Sequence, residues 1–208
     1  MQTSHGEVSV ALDGPQAATT TIVLGHGAGG PMDGDYMAFF ASGLAGDETR
    51  VVRFNFPYME RGRKSPDKQS VSETVFHEVA ESFQTQRLVL GGKSYGGRIA
   101  SHAVAAGTKA DGLVFLGYPL HPPGRPERIR DAHLHDIKCP MLFVEGTRDP
   151  FCPLETLERV RESLPAPTSV VVIEDGDHSL KVRKSSGRAT KDAWDEAVAA
   201  ITDWVAEL

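Results

Sequence analysis

The chain has 208 residues, 40% of them apolar and 24% charged, the balance of an ordinary globular protein and far from that of a disordered one. That length supports one sizeable core, so a single domain over residues 1–208 is expected. With 22 Lys plus Arg against 28 Asp plus Glu, the formal net charge is -6, which offers a polyphosphate nothing to bind and argues against a nucleic-acid partner.

Short runs of Val, Ile, Leu and Phe alternate along the chain with stretches of helical period. In chain order, strands are predicted at 7–12 and 20–24, a helix at 35–44, a strand at 50–54, a helix at 71–83, a strand at 87–91 and a helix at 95–106. Strands at 112–116 and 140–145, a helix at 154–164, a strand at 169–173 and a helix at 191–207 follow. Ser70 and Glu73 have capping-box spacing ahead of the second helix. In the last helix Trp194, Val198, Ile201, Trp204 and Val205 form one apolar face. The strand runs are mostly continuous rather than alternating, as in strands covered on both faces. The expected fold class is therefore α/β: a mostly parallel sheet of about seven strands with helices on both faces.

Two segments break the alternation. One, 57–68, carries Arg61, Arg63 and Lys64 and reads either as a solvated loop or as a rim that meets an anionic substrate. The other, 118–138, is rich in Pro and His, and both are loops with at most a short helix. The polar N-terminal segment and the lack of a long apolar run point to a cytoplasmic protein with no membrane partner. Cys139 and Cys152 are spaced neither as a metal hook nor as a disulfide framework.

Gly92, Ser94 and Gly96 form a G-x-S-x-G pattern, too short to carry weight alone. Its setting adds to it, because Leu88-Val89-Leu90 precedes it and a helical pattern follows, giving strand, sharp turn and helix. A serine hydroxyl needs a base, and the base needs an orienting carboxylate. Asp149 follows the run 141–144 and His178 follows the run 170–173, in the order Ser, Asp, His. Ser94 is thus the candidate nucleophile, His178 the base and Asp149 the orienting group. The plainer alternatives are a helix-capping serine, a turn aspartate before Pro150 and a surface-turn histidine. Oxyanion donors are expected from the Tyr95 N–H and, in the loop Gly25-His26-Gly27-Ala28-Gly29-Gly30, from the Ala28 N–H. Gly25, Gly27 and Gly30 also fit the dinucleotide spacing, but no acidic residue closes the next strand near Phe54. His26 is expected to shape the oxyanion loop, His133 and His135 to be surface residues rather than a metal pair, and Cys152 to be a small buried residue.

The segments His26-Gly27, Gly92-Lys93-Ser94-Tyr95-Gly96-Gly97, Gly146-Thr147-Arg148-Asp149 and Gly176-Asp177-His178 together resemble the α/β-hydrolase superfamily over the whole chain. With Gly117-Tyr118-Pro119-Leu120-His121-Pro122-Pro123-Gly124, the chain is similar to a small cap-less, dienelactone-hydrolase-like family. That family includes the hydrolase-like domain of a non-specific-lethal chromatin-complex subunit and testis-expressed homologues. The resemblance implies an α/β-hydrolase fold, a Ser-Asp-His triad and ester or related acyl-transfer chemistry. It does not carry over the dienelactone reaction, since true dienelactone hydrolases use cysteine where this chain has Ser94.

The stretch after the run 112–116 is too short for a lid, so an open cleft without a separate cap domain is expected, with His121, Tyr58 and Arg98 at its rim. The expected function is a serine hydrolase of carboxylesterase type acting on a small-molecule acyl substrate, with no metal and no organic cofactor. A thioesterase, a peptidase and a lyase share these parts. The rival from another class is a catalytically silent or weakly active binding or scaffold protein on the same fold.

Overall fold

The computed structural model describes residues 1–83 and 85–208. Strands β1 (Gln2–Thr3) and β2 (Gly6–Glu7) form a small hairpin, and β3 (Val10–Asp13) opens the main sheet. There follow β4 (Thr20–Gly25), α1 (Asp35–Leu44), β5 (Thr49–Phe54), α2 (Pro57–Glu60), α3 (Gln69–Ser82), β6 (Arg87–Lys93) and α4 (Tyr95–Ala105). The chain continues through β7 (Gly112–Leu116), β8 (Met141–Gly146), α5 (Leu154–Ser163), β9 (Thr168–Ile173) and α6 (Thr190–Ala206). Between them, Ala132–Asp136 and Lys184–Ser186 are short 3₁₀ turns.

The seven-stranded sheet has the order β3-β5-β4-β6-β7-β8-β9, parallel throughout except for the antiparallel β3. Residues along β4, β7 and β8 are buried without exception, which is why these segments read as unbroken apolar runs. Parity divides them between two cores. Ile22, Leu24, Val89 and Val114 face α1 and α6, where Phe40 and Ile201 meet them. Val23, Leu90, Phe115 and Phe143 face α3, α4 and α5, where Phe76, Ile99 and Leu157 meet them. This is the expected α/β architecture, a mostly parallel sheet covered by helices on both faces, with no separate cap among the described residues. Among the described residues no helix is long and apolar enough to cross a membrane.

Three local expectations are corrected. The predicted strand 7–12 is split, because the Ser9 N–H donates to the Glu60 carboxylate (2.8 Å) rather than to a strand neighbour. Helix α3 starts at Gln69 with no side-chain cap, and Glu73 accepts from Gln69 Nε2 (2.6 Å), so Ser70 and Glu73 form no capping box. In α6 the fully buried stripe is Ala193, Ala197, Ile201 and Val205. The larger Trp194, Val198 and Trp204 pack only partly buried beside it, so the apolar face is rotated toward the small residues that let the helix sit close to the sheet.

Sheet order reverses at β4: β5 lies on one side of it and β6 on the other. Their carboxyl ends separate there, and ligands of open α/β sheets bind in the resulting crevice. Gly25 at the end of β4 lies in register with Gly92 near the end of β6.

Candidate active site

The turn after β6 is built around close backbone approach. A Cβ on Gly92 or on Gly96 would lie 2.1 Å from the Gly25 carbonyl oxygen, so only glycine lets β6 and α4 pass the end of β4. Between them Ser94 is held at φ 50, ψ -110, a backbone region that L residues rarely adopt and that occurs where the surroundings over-determine it. Its N–H donates to the Leu116 carbonyl (3.0 Å) and its carbonyl accepts the Arg98 N–H (3.0 Å), the first hydrogen bond of α4. The side chain is thereby raised above the sheet at a helix N-terminus.

The other two groups come from the loops after β8 and β9. These loops are laced together: the Arg148 N–H donates to the Gly176 carbonyl (2.8 Å) and the Asp175 N–H to Thr147 Oγ1 (2.8 Å). Asp177 Oδ1 accepts from the Ser179 and Lys181 N–H groups, which closes the turn that carries His178. His178 Nε2 lies 2.8 Å from Ser94 Oγ and its Nδ1 lies 2.6 Å from Asp149 Oδ2. The side chain of Asp149 is fully buried, and its second oxygen accepts the Phe151 N–H (2.8 Å). The Phe151 ring stands edge-on to the imidazole at 4.7 Å. In this chain of contacts Nδ1–H donates to the carboxylate and Nε2 is free to accept the serine proton.

Two buried ionisable side chains support the arrangement from behind. Lys93 Nζ donates to the His178 carbonyl and lies over the Tyr36 ring, and burial pushes its pKa down to about 8 although Asp149, Glu145 and Asp177 act in the opposite direction. Glu145 is fully buried and accepts the Tyr118 N–H (2.6 Å) through Oε1, while Oε2 has no donor among the described residues. Burial, and then the neighbouring Asp149 charge, raise its pKa well above the usual carboxylate range, which favours its neutral form. Sequence reasoning passed over Glu145; its signal was a lone carboxylate in an otherwise apolar strand, four residues before Asp149.

Ser94, Tyr95, Ala28, His178 and Phe151 line a cleft of about 180 Å³. The Ala28 and Tyr95 N–H groups have no partner among the described residues, and both residues border the cleft beside Ser94. His26, fully buried, fixes the loop that carries Ala28: Nδ1 meets the Gly27 carbonyl (2.8 Å) and Nε2 accepts the Phe56 N–H (3.0 Å). This is the neutral tautomer, and burial pushes its pKa down to about 4.

Of the expected rim residues, Arg98 and His121 line the cleft, as do Pro119 and Arg130. Tyr58 does not. It is fully buried on α2, stacked parallel on Phe56 and edge-on to Tyr95, because α2 packs its apolar side under the loop. His133 is not a surface residue either. Its ring stacks on His102 at 3.5 Å and its Nε2 meets Ser101 Oγ (2.8 Å) and Tyr118 OH (3.1 Å), with burial pushing the pKa down to about 3. His135 is exposed, and Cys152 is buried with its thiol pushed up by burial. In the basic run, exposed Arg61 and Arg63 both pair with Asp67.

Residues 18–206 match the family model described as an alpha/beta hydrolase domain. Among solved structures, the chain is similar to a lid-less α/β serine hydrolase from Xanthomonas campestris (22% identity, 98% of this chain and 92% of that chain, TM-score 0.76). It is also similar to a dienelactone hydrolase from Anabaena variabilis (16% identity, 99% and 94%, TM-score 0.73). A third similar structure is Est1E from Butyrivibrio proteoclasticus with ferulic acid bound (16% identity, 96% and 94%, TM-score 0.69).

Proposed function

The chain belongs to the alpha/beta hydrolase domain family, and from that membership we propose that it is a serine hydrolase cleaving a small ester through an acyl-enzyme on Ser94. The observation that carries the proposal is the continuous hydrogen-bonded path Ser94–His178–Asp149 at the floor of one cleft. In this reading Ser94 Oγ attacks the acyl carbonyl while His178 Nε2 takes its proton, and Asp149 fixes the imidazole tautomer and stabilises the imidazolium that forms. The Ala28 and Tyr95 N–H groups receive the developing oxyanion. His178 then returns the proton to the leaving alcohol, and a water activated by the same imidazole releases the acid. Every proton transfer is served by side chains already in contact, so the reading calls on no metal or organic cofactor. A cytoplasmic site of action is part of it.

The structural similarity to a serine hydrolase and to Est1E supports this chemistry, and the open cleft favours short acyl groups. A fluorophosphonate probe should label Ser94 in the wild type. Ser94→Ala should abolish labelling and lower hydrolysis of p-nitrophenyl acetate by several orders of magnitude, on the order of 10⁴ to 10⁶. Unchanged turnover in that variant would remove Ser94 from the mechanism, and a folded wild type that neither labels nor hydrolyses would leave a binding protein on a hydrolase fold.

A further inference from the structure

The charges on the cleft wall are unbalanced in a way that points to a ligand. Arg98 and Arg130 both line the cleft that holds Ser94, and none of the ion pairs among the described residues includes either of them. Seven other arginines do pair with carboxylates, among them Arg53, Arg61, Arg63, Arg148 and Arg183. Arg98 is held through Nη1 by neutral partners only, Gln69 Oε1 (3.0 Å) and His102 Nε2 (3.1 Å), and lies over the Tyr95 ring. Its Nε and Nη2 have no hydrogen-bond partner among the described residues. Arg130 sits within electrostatic reach of both Arg98 and Arg128, which depress its pKa along with burial. Two guanidiniums thus stand on one cleft wall of a protein with a net charge of -6, a pairing that suits an anion. The same wall holds His121, 5% exposed, whose Nδ1 is committed to the Pro122 carbonyl (3.0 Å) and whose buried Nε2 has no partner among the described residues.

We propose that Arg98 and Arg130 form an anion subsite, and that the substrate is a short ester carrying carboxylate or phosphate oxygens at the end remote from the reacting carbonyl. Arginine forks fit such groups in bidentate fashion. The cleft, at about 180 Å³, has room for roughly six water-sized groups, enough for a short chain between carbonyl and anion. His121 Nε2, an acceptor in the tautomer its Nδ1 contact requires, suits a hydroxyl or N–H on the same substrate. The basic run around Arg61 and Arg63, whose guanidiniums both turn to Asp67, has no part in this subsite. The inference rests on the serine hydrolase reading for the reaction, but the subsite can be tested apart from it.

Two p-nitrophenyl esters of equal length, the hemiadipate and the hexanoate, differ only in the remote carboxylate. The wild type should favour the hemiadipate in kcat/KM, and Arg98→Gln and Arg130→Gln should each lower the hemiadipate-to-hexanoate ratio about tenfold, mainly through KM, with the preference shrinking as salt is added. Equal use of both esters by the wild type, or an unchanged ratio in both variants, would overturn the subsite. Calorimetric titration of the Ser94→Ala protein with adipate decides the same point without turnover. Binding that Arg130→Gln weakens about tenfold supports the subsite even if the hydrolase reading fails; no binding, or binding indifferent to Arg130, overturns it. Competition by inorganic phosphate at concentrations below those of adipate would assign the subsite to phosphate esters, and the reverse order to carboxylates.

Discussion

Replacing Glu145 by glutamine should flatten the pH dependence of stability on the neutral side of the acid range. The wild-type carboxyl is fully buried beside Asp149, and burial followed by the Asp149 charge raise its pKa well above 4.5, against the Tyr118 N–H and Lys93, which favour the anion; the Cys152 thiol is also a neighbour. Above that reference value the unfolded chain has released the proton while the folded chain keeps it. The folded state then binds more protons, and stability falls as pH rises until the folded pKa is reached. Within that window each pH unit lowers the folding constant by up to about tenfold, on the order of 1 kcal/mol. Glutamine cannot titrate. It keeps an acceptor for the Tyr118 N–H and turns an N–H donor toward Asp149. Urea denaturation of both proteins at rising pH above 4.5 should therefore show Glu145→Gln gaining on the wild type until the folded pKa is reached. Parallel stability curves would refute the neutral-acid assignment. Glu145→Ala, which strands the Tyr118 N–H beside a cavity, should lose about 2–4 kcal/mol near pH 4.5, and less as rising pH weakens the wild type.

Asp149→Asn should reduce kcat about 10⁴-fold with little change in KM, because an amide N–H facing Nδ1 reverses the imidazole tautomer and leaves Nε2 unable to accept the Ser94 proton; a loss under about tenfold would remove the orienting role. Acid should act on two histidines, fully buried His26 and half-buried His133. Burial lowers His26 to about 4 and His133 to about 3, so the stability their neutral forms contribute is complete above the unfolded value of 6.5 and is lost as pH falls through these folded values. NMR titration of the His133 ring checks this, and a midpoint near 6.5 would contradict the buried stack on His102.

The sheet was legible because strands covered on both faces, such as Ile22-Val23-Leu24 and Leu113-Val114-Phe115, leave continuous apolar runs that nothing else in the chain mimics. The Ser94, Asp149 and His178 positions were legible for a related reason: each follows such a run within a few residues, and parallel strands deliver all their carboxyl ends to one side of the sheet. Tyr58 was misread because nothing in Pro57-Tyr58-Met59 tells which way a ring on a one-turn helix points. His133 was misread because its partners Ser101 and His102 come from α4 and Tyr118 from fifteen residues away. Arg130 went unnoticed for the same reason, being distinguished from neighbouring arginines only by the wall it lands on. Glu145 needed the fold to show that its strand position lies directly behind Asp149.

Lys93 gives the site a mechanical property. It immediately precedes Ser94 on one side of the cleft, and its ammonium is anchored to the peptide of His178 on the other, so nucleophile and base are clamped by a single side-chain tether that spans two loops. Drift of the turn around His178 would leave a buried ammonium without its acceptor, an outcome costly enough to resist it. His121 and Arg130 lie outside this clamp, so changes at these two cleft-lining positions can retune recognition while the reacting atoms stay in alignment.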